Sequence, residues 1–132
     1  MNTPPILCIT GPSKSGKTGL LEGLLPRLRQ AGLHLAVVKH AGHLDFSSEA
    51  KDSGRLAGAG ATPSIAAAPN GIEVRCPTGE PRLIDLVHSF CQDADLVLAE
   101  GYSSSPFDKI FVGRGDPMWS LSPDPDDDSG QP

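Results

Sequence analysis

Apolar residues in this chain fall into two patterns. Ile6-Leu7-Cys8-Ile9, Leu35-Ala36-Val37-Val38 and Leu96-Val97-Leu98-Ala99 are short unbroken runs. A run that does not alternate predicts a strand buried on both faces, as in a parallel sheet. Residues 5–10 are read in this way as a central first strand. Leu20, Leu21, Leu24, Leu25 and Leu28 instead recur at helical spacing. They predict a helix to about Ala31, with Gly32 as its stop. Pro26 lies inside that helix and is expected to bend or interrupt it near Glu22, whose carbonyl loses its donor. Strand, helix and strand in about 35 residues predict a βαβ unit with parallel strands. A second helical face is Leu83, Ile84, Leu86, Val87, Phe90 and Cys91, ended by Asp93-Ala94-Asp95.

Between these elements the pattern changes. Ser64-Ile65-Ala66-Ala67-Ala68, then Asn70-Gly71, then Ile72-Glu73-Val74-Arg75-Cys76 predict a hairpin, with a loop that Pro69 lengthens. The second arm alternates as a half-buried strand does. Asp52 or Ser53 is placed to cap a short helix running to about Ala59. Ile110-Phe111-Val112 predicts a last short strand. From Gly113 onward Asp, Pro, Ser and Gly dominate, so this segment cannot bury much apolar area and is expected to be disordered, at least beyond Ser122. The expectation is one α/β domain over residues 1–112, a mostly parallel sheet flanked by helices with one β-hairpin, and an acidic tail over 113–132.

Composition adjusts this picture modestly. With 38% apolar and 5% aromatic residues, the core must be aliphatic. The net charge of -5 argues against nucleic acid as a partner, and most of it sits in the tail, where Arg114 faces five aspartates. Three widely spaced cysteines, Cys8, Cys76 and Cys91, suit reduced thiols. No signal peptide and no run of apolar residues long enough for a membrane span is read. The expectation is a cytoplasmic protein with no membrane partner.

The chemistry begins directly after the first strand. Gly11-Pro12-Ser13-Lys14-Ser15-Gly16-Lys17-Thr18 fits the P-loop pattern: Gly, four residues, Gly, Lys, then Ser or Thr. Such a loop wraps phosphates in backbone N–H groups, and the helix behind it points its positive end at them. Lys17 is placed to reach the β- and γ-phosphates, and the Thr18 hydroxyl to ligate Mg²⁺. Leu96-Val97-Leu98-Ala99-Glu100 has the form of the second phosphate-site motif. A carboxylate at that strand end holds a Mg²⁺-bound water or polarises the attacking one. Gly101 lets the backbone approach the γ-phosphate. Asp45 follows the second strand, where a further carboxylate can reach the metal through water. Lys39 and His40 end that strand on the ligand-binding edge of a parallel sheet, positioned for phosphate or a partner. No Asn-Lys-x-Asp motif is present, so spacing does not choose between GTP and ATP.

Taken in order, several motifs resemble one family. They are the loop running into Leu20-Leu21-Glu22-Gly23-Leu24-Leu25-Pro26, then Val37-Val38-Lys39-His40, His43, Asp45, Lys51-Asp52-Ser53 and Gly58-Ala59-Gly60-Ala61. Leu96 to Tyr102 and Lys109-Ile110 complete the set. Over roughly residues 5–112 the chain is similar to MobB, the molybdopterin-guanine dinucleotide biosynthesis adaptor family. The resemblance implies a homodimeric P-loop protein that binds GTP and Mg²⁺, with at most weak GTPase activity. It implies a MobA-type nucleotidyltransferase as partner, which joins GMP to the molybdenum-bearing pterin. It also places Gly11 to Thr18 on the phosphates and Thr18, Asp45 and Glu100 on the metal. Lys39, His40, Lys51, Asp52 and Ser53 would line the nucleotide or the dimer groove. Pro12 and Lys14 stand where small residues are common in the family loop. Two other readings remain open: a non-catalytic adaptor that delivers pterin or GTP to MobA, and a small-molecule kinase, for which Arg75 and Arg82 supply no lid.

Overall fold

The computed structural model describes residues 3–44, 52–76, 79–113 and 118–120. The chain forms two compact units, Met1–Ala41 with Arg82–Pro132, and Gly42–Pro81.

The first unit is built on a five-stranded sheet. Its strands are β1 (Ile6–Thr10), β2 (Leu35–Lys39), β5 (Leu96–Glu100), β6 (Asp108–Phe111) and β7 (Met118–Ser120), in the spatial order β2-β5-β1-β6-β7. The first four in that order are parallel; β7 runs antiparallel to β6. Helix α1 (Lys17–Gln30) covers one face and α3 (Leu83–Phe90) the other. The alternation along β1 and β5 explains both layers. Cys8, Val97 and Ala99 pack with Leu83, Val87 and Cys91 of the α3 side. Ile9 and Leu98 pack with Leu21, Leu24, Leu25 and Leu28 of α1. A strand covered on both faces needs apolar residues at every position, hence the unbroken runs. Each large side chain so buried contributes about 1.5–3 kcal/mol.

The βαβ unit is present, with β1 and β2 parallel and β5 between them. Three sequence expectations change here. β2 is an edge strand, with Val37 44% exposed and Lys39 exposed. Leu20 and Phe90, counted on apolar helix faces, lie outside the core, at 39% and 62% exposed. Finally, α1 runs without a break through Pro26. Pro26 and Glu22 are both exposed, so water can hydrate the carbonyl that lost its donor, while the leucine face holds the neighbouring turns to the sheet. Helix α1 then closes where expected: Gly32 takes φ 92°, its N–H donates to Arg29 O, and the Leu33 N–H donates to Leu28 O. Strand β7 lies inside the segment read as tail, and residues 121–132 fall outside the described residues.

The second unit holds α2 (Asp52–Gly58) and a two-stranded sheet of β3 (Ser64–Ala68) and β4 (Gly71–Arg75). The hairpin is present, but its turn is Pro69-Asn70, and Gly71 already pairs with Ala68. Ser64 Oγ donates to Ser53 O at 2.8 Å, which ties β3 to α2. The alternation expected along β4 holds at Glu73, exposed, and Val74, half-buried, and fails at its ends. Ile72 is 69% exposed, while Arg75 is buried and bonds Glu73 Oε1 through Nε at 2.8 Å. Sequence pattern reveals an apolar face; whether anything covers it depends on neighbours this unit lacks.

Candidate phosphate-binding site

The loop after β1 is shaped by two glycines. At Gly11, φ is 143°, and a Cβ there would lie 2.0 Å from Val112 O, on the strand exit next door. Val112 is fixed in place by its N–H donating to Thr10 O at 2.7 Å. Gly16 takes φ 96° as the N-cap of α1, with no side-chain cap and no acidic residue in the first turn. The first-turn N–H groups are thus left without helical acceptors, at the positive end of the helix dipole.

Side chains complete the cradle. Lys17 Nζ donates to Gly11 O at 2.5 Å and to Pro12 O at 3.4 Å, lying back along the loop. Thr18 Oγ1 donates to Glu100 Oε1 at 2.9 Å. Glu100 is 8% exposed. Ser15 Oγ is buried with no hydrogen-bond partner among the described residues. Residues 14–19 and Glu100 enclose a cleft of about 350 Å³. Uncapped amides and an orphan hydroxyl fit a phosphate chain, since each lacks an acceptor that phosphate oxygens supply, and Lys17 brings a positive charge beside them. A hydroxyl beside a carboxylate fits a hard divalent cation such as Mg²⁺, whose remaining ligands come from phosphate and water.

The sheet sets the neighbouring strand ends beside this cleft. Lys39 is in register with Glu100, and the His40 N–H donates to Glu100 O at 2.8 Å. The Gly101 N–H donates to Ile9 O at 2.8 Å. Gly101 takes φ 97°, and a Cβ on it would meet His40 Cβ at 2.9 Å. Tyr102 follows at φ 58°, its ring 4.8 Å from that of His40. Two consecutive residues with positive φ next to a buried carboxylate mark a strained, closely packed corner. The side chains of Lys39 and His40 are not part of the cleft wall.

Asp52 and Ser53 open α2 in the second unit. Asp45 and Lys51 are outside the described residues. One residue went unassigned a role in the sequence. Lys109 Nζ donates to the carbonyls of Ser105 and, at 2.7 Å, Phe107, closing the loop between β5 and β6 from below. Its signal is a lysine directly before the apolar run Ile110-Phe111-Val112. A larger groove, about 970 Å³, runs past Glu22, Leu25, Arg29 and His34 at the far ends of α1 and β2. It holds none of the residues predicted to bind phosphate, nucleotide or metal, so size does not mark the site. No helix among the described residues is long and apolar enough to cross a membrane.

Comparison with known proteins identifies the family. The family model described as molybdopterin guanine dinucleotide synthesis protein B, MobB, matches residues 6–126. The molybdopterin-guanine dinucleotide biosynthesis adapter protein of Haemophilus influenzae is 39% identical over 116 residues, which cover 86% of this chain and 65% of that protein. The adapter protein of Escherichia coli strain K12 is 31% identical over 115 residues, covering 83% and 66%. This chain thus spans about two thirds of the length of these curated relatives. A crystal structure of molybdopterin-guanine biosynthesis protein B superposes with a TM-score of 0.67 at 34% identity, over 83% of this chain and 69% of that one. Bacillus subtilis MobB gives 0.62 at 27% identity, over 82% and 67%. The chain belongs to the molybdopterin guanine dinucleotide synthesis protein B family.

Proposed function

We propose that this protein binds GTP with Mg²⁺ and serves as an adaptor in the conversion of molybdopterin to its guanine dinucleotide form. The observation that carries the reading is the Thr18–Glu100 hydrogen bond beside an uncapped glycine loop. That pairing sets a metal-binding hydroxyl and carboxylate next to free phosphate-binding amides. Residues 1–112 are taken as the nucleotide-binding domain and 113–132 as an appendage. The phosphates lie along Gly11 to Thr18. Lys17 turns from the loop carbonyls to the β- and γ-phosphates and offsets their charge. Ser15 Oγ finds an acceptor in a phosphate oxygen. Thr18 and Glu100 would hold Mg²⁺, with Asp45 as a candidate through water, and the ion would offset phosphate charge. Gly101 keeps a side chain away from the γ-phosphate. Lys39, His40, Lys51, Asp52 and Ser53 are assigned to the nucleotide or dimer groove. The setting is the cytoplasm, and the partners are a MobA-type nucleotidyltransferase and a second copy of the chain. Exposed Leu56, Ile65 and Ile72 in the second unit supply apolar surface for that pairing.

The same geometry favours an adaptor over an efficient GTPase. The Glu100 carboxylate is committed to Thr18, and among the described residues no second carboxylate lines the cleft. Hydrolysis by attack of water on the γ-phosphate therefore has no free general base among the described residues and is slow. The kinase reading has little support, because Arg75 is paired with Glu73 and Arg82 with Asp85. Calorimetry tests the proposal. Micromolar Mg²⁺·GTP should bind in preference to ATP, and Lys17→Ala should abolish binding. No binding, or equal binding by the variant, overturns it. Turnover with and without MobA separates the roles: stimulation by the partner identifies a working GTPase, and an unchanged slow rate an adaptor.

A further inference from the structure

Lys14 stands at φ 60°, one of two non-glycine residues with positive φ among the described residues. That conformation crowds a Cβ against the following carbonyl, and glycine adopts it without strain. Nothing among the described residues offsets the strain. The side chain is exposed on the rim of the phosphate cleft, and none of the described residues gives it a hydrogen bond or ion pair. Lys17, by contrast, is held by Gly11 O and Pro12 O. The charged side chains around the cleft are Lys14, Lys17 and Glu100. Their sum is one positive charge, and without Lys14 it is zero. The metal-side groups, Thr18 and Glu100, meanwhile bond each other. The cradle is thus closed toward a cation and open toward an anion.

We propose that Lys14 makes the cradle a polyphosphate site that fills before the metal arrives. The ligand class is a di- or triphosphate chain: a nucleoside polyphosphate or inorganic pyrophosphate. Its phosphates meet Lys14 and the loop amides first. Thr18 and Glu100 would give up their mutual bond to hold Mg²⁺ only afterwards. This deepens the reading of the loop as a nucleotide site and rests on it. A neutral cradle would rely on the metal to bring an anion past Glu100, whereas a cationic one attracts it directly.

The test is calorimetric titration with pyrophosphate and with GTP, each in EDTA and in Mg²⁺ at fixed ionic strength. Wild type should bind both ligands in EDTA. Lys14→Ala and Lys14→Gly should weaken EDTA binding by about tenfold or more, and Mg²⁺ binding by less than about threefold, while Lys14→Arg stays near wild type. Lys14→Gly relaxes the backbone, so it should melt no lower than wild type, which removes misfolding as a cause. Wild type that binds with Mg²⁺ but not in EDTA overturns the proposal and leaves the nucleotide reading standing. So does an equal loss in both conditions for Lys14→Ala. Wild type that binds neither ligand in either condition overturns the nucleotide reading, and this proposal with it.

Discussion

Thr18 Oγ1 and Glu100 Oε1, 82 residues apart in the chain, meet at 2.9 Å. The bond joins the first turn of α1 to the end of β5, and each element arrives there for its own reason. β5 is drawn to the centre of the sheet by Val97, Leu98 and Ala99, all fully buried. α1 starts where Gly16 takes a left-handed φ. Packing of Leu21 against Ile9 and Leu98 then sets the helix over the strand pair. The site's central contact is therefore a product of core packing.

Thr18→Ala should separate two effects of that contact. It leaves a carboxylate that is 8% exposed without its donor, which should lower unfolding stability by about 1–3 kcal/mol. It also removes a metal ligand, so Mg²⁺-dependent GTP affinity should fall about tenfold or more. Thr18→Ser should restore both. Glu100→Gln keeps an oxygen to accept from Thr18, so it should hold stability better while losing the Mg²⁺ dependence. Urea denaturation and calorimetry with and without Mg²⁺ check these outcomes.

Glycines 11 and 16 should differ sharply on replacement by alanine. At Gly11 the new Cβ meets backbone, Val112 O at 2.0 Å, so β1 and β6 must separate or the loop must move. At Gly16 nothing lies within 4 Å, and the penalty is the left-handed φ alone. Gly16→Ala should cost roughly 1–2 kcal/mol. Gly11→Ala should cost more, at about 3 kcal/mol or above, the range that clashes with fixed backbone produce. Equal urea midpoints for the two variants would sink this account.

Lys109 should matter for the loop between β5 and β6. Its ammonium, half-buried, serves the Ser105 and Phe107 carbonyls. Lys109→Met keeps the stem and removes both bonds, at a cost of about 1.5–3 kcal/mol, typical of hydrogen bonds to a charged group. Amide exchange over residues 102–107 should quicken in that variant, and exchange in α1 should not. Uniform quickening would show global destabilisation instead.

The sequence made the cradle legible because its information is local. Strand, glycine loop and helix sit within residues 6–30, and each glycine answers to a backbone need at its own position. The edge position of β2 was not legible, since Leu35 to Val38 reads like a buried run whether or not a further strand follows Val37. β7 was missed because a three-residue strand among Asp, Pro and Gly carries no period. Lys109 was not given its role, because its partners are carbonyls of an irregular loop, and no side-chain pattern announces them.

The thiols give a test of the core by pH and by reaction. Cys8 and Cys91 are buried and free, and Cys76 is exposed. Burial pushes the Cys91 thiol up. In the unfolded chain a thiol ionises near its ordinary value, roughly 8.5. The fold favours the neutral form, so the stability linked to Cys91 is fully present below that pH and is lost as pH rises toward the folded value. The urea midpoint should therefore fall between pH 7.5 and 9.5, and Cys91→Ala should flatten that slope even as it lowers the midpoint throughout. The acid side behaves oppositely. The hydrogen bond from Arg82 holds the Asp85 carboxyl below its usual range, so its contribution is present above the ordinary carboxylate pKa and lost as pH falls through the folded one. That pair is exposed, so its effect on stability should be slight and erased by salt. With an aromatic disulfide reagent at neutral pH, one thiol, Cys76, should react at once. Cys8 and Cys91 should react only at the rate of unfolding, and rapid reaction of all three in the native protein would contradict the packing of β1 against α3.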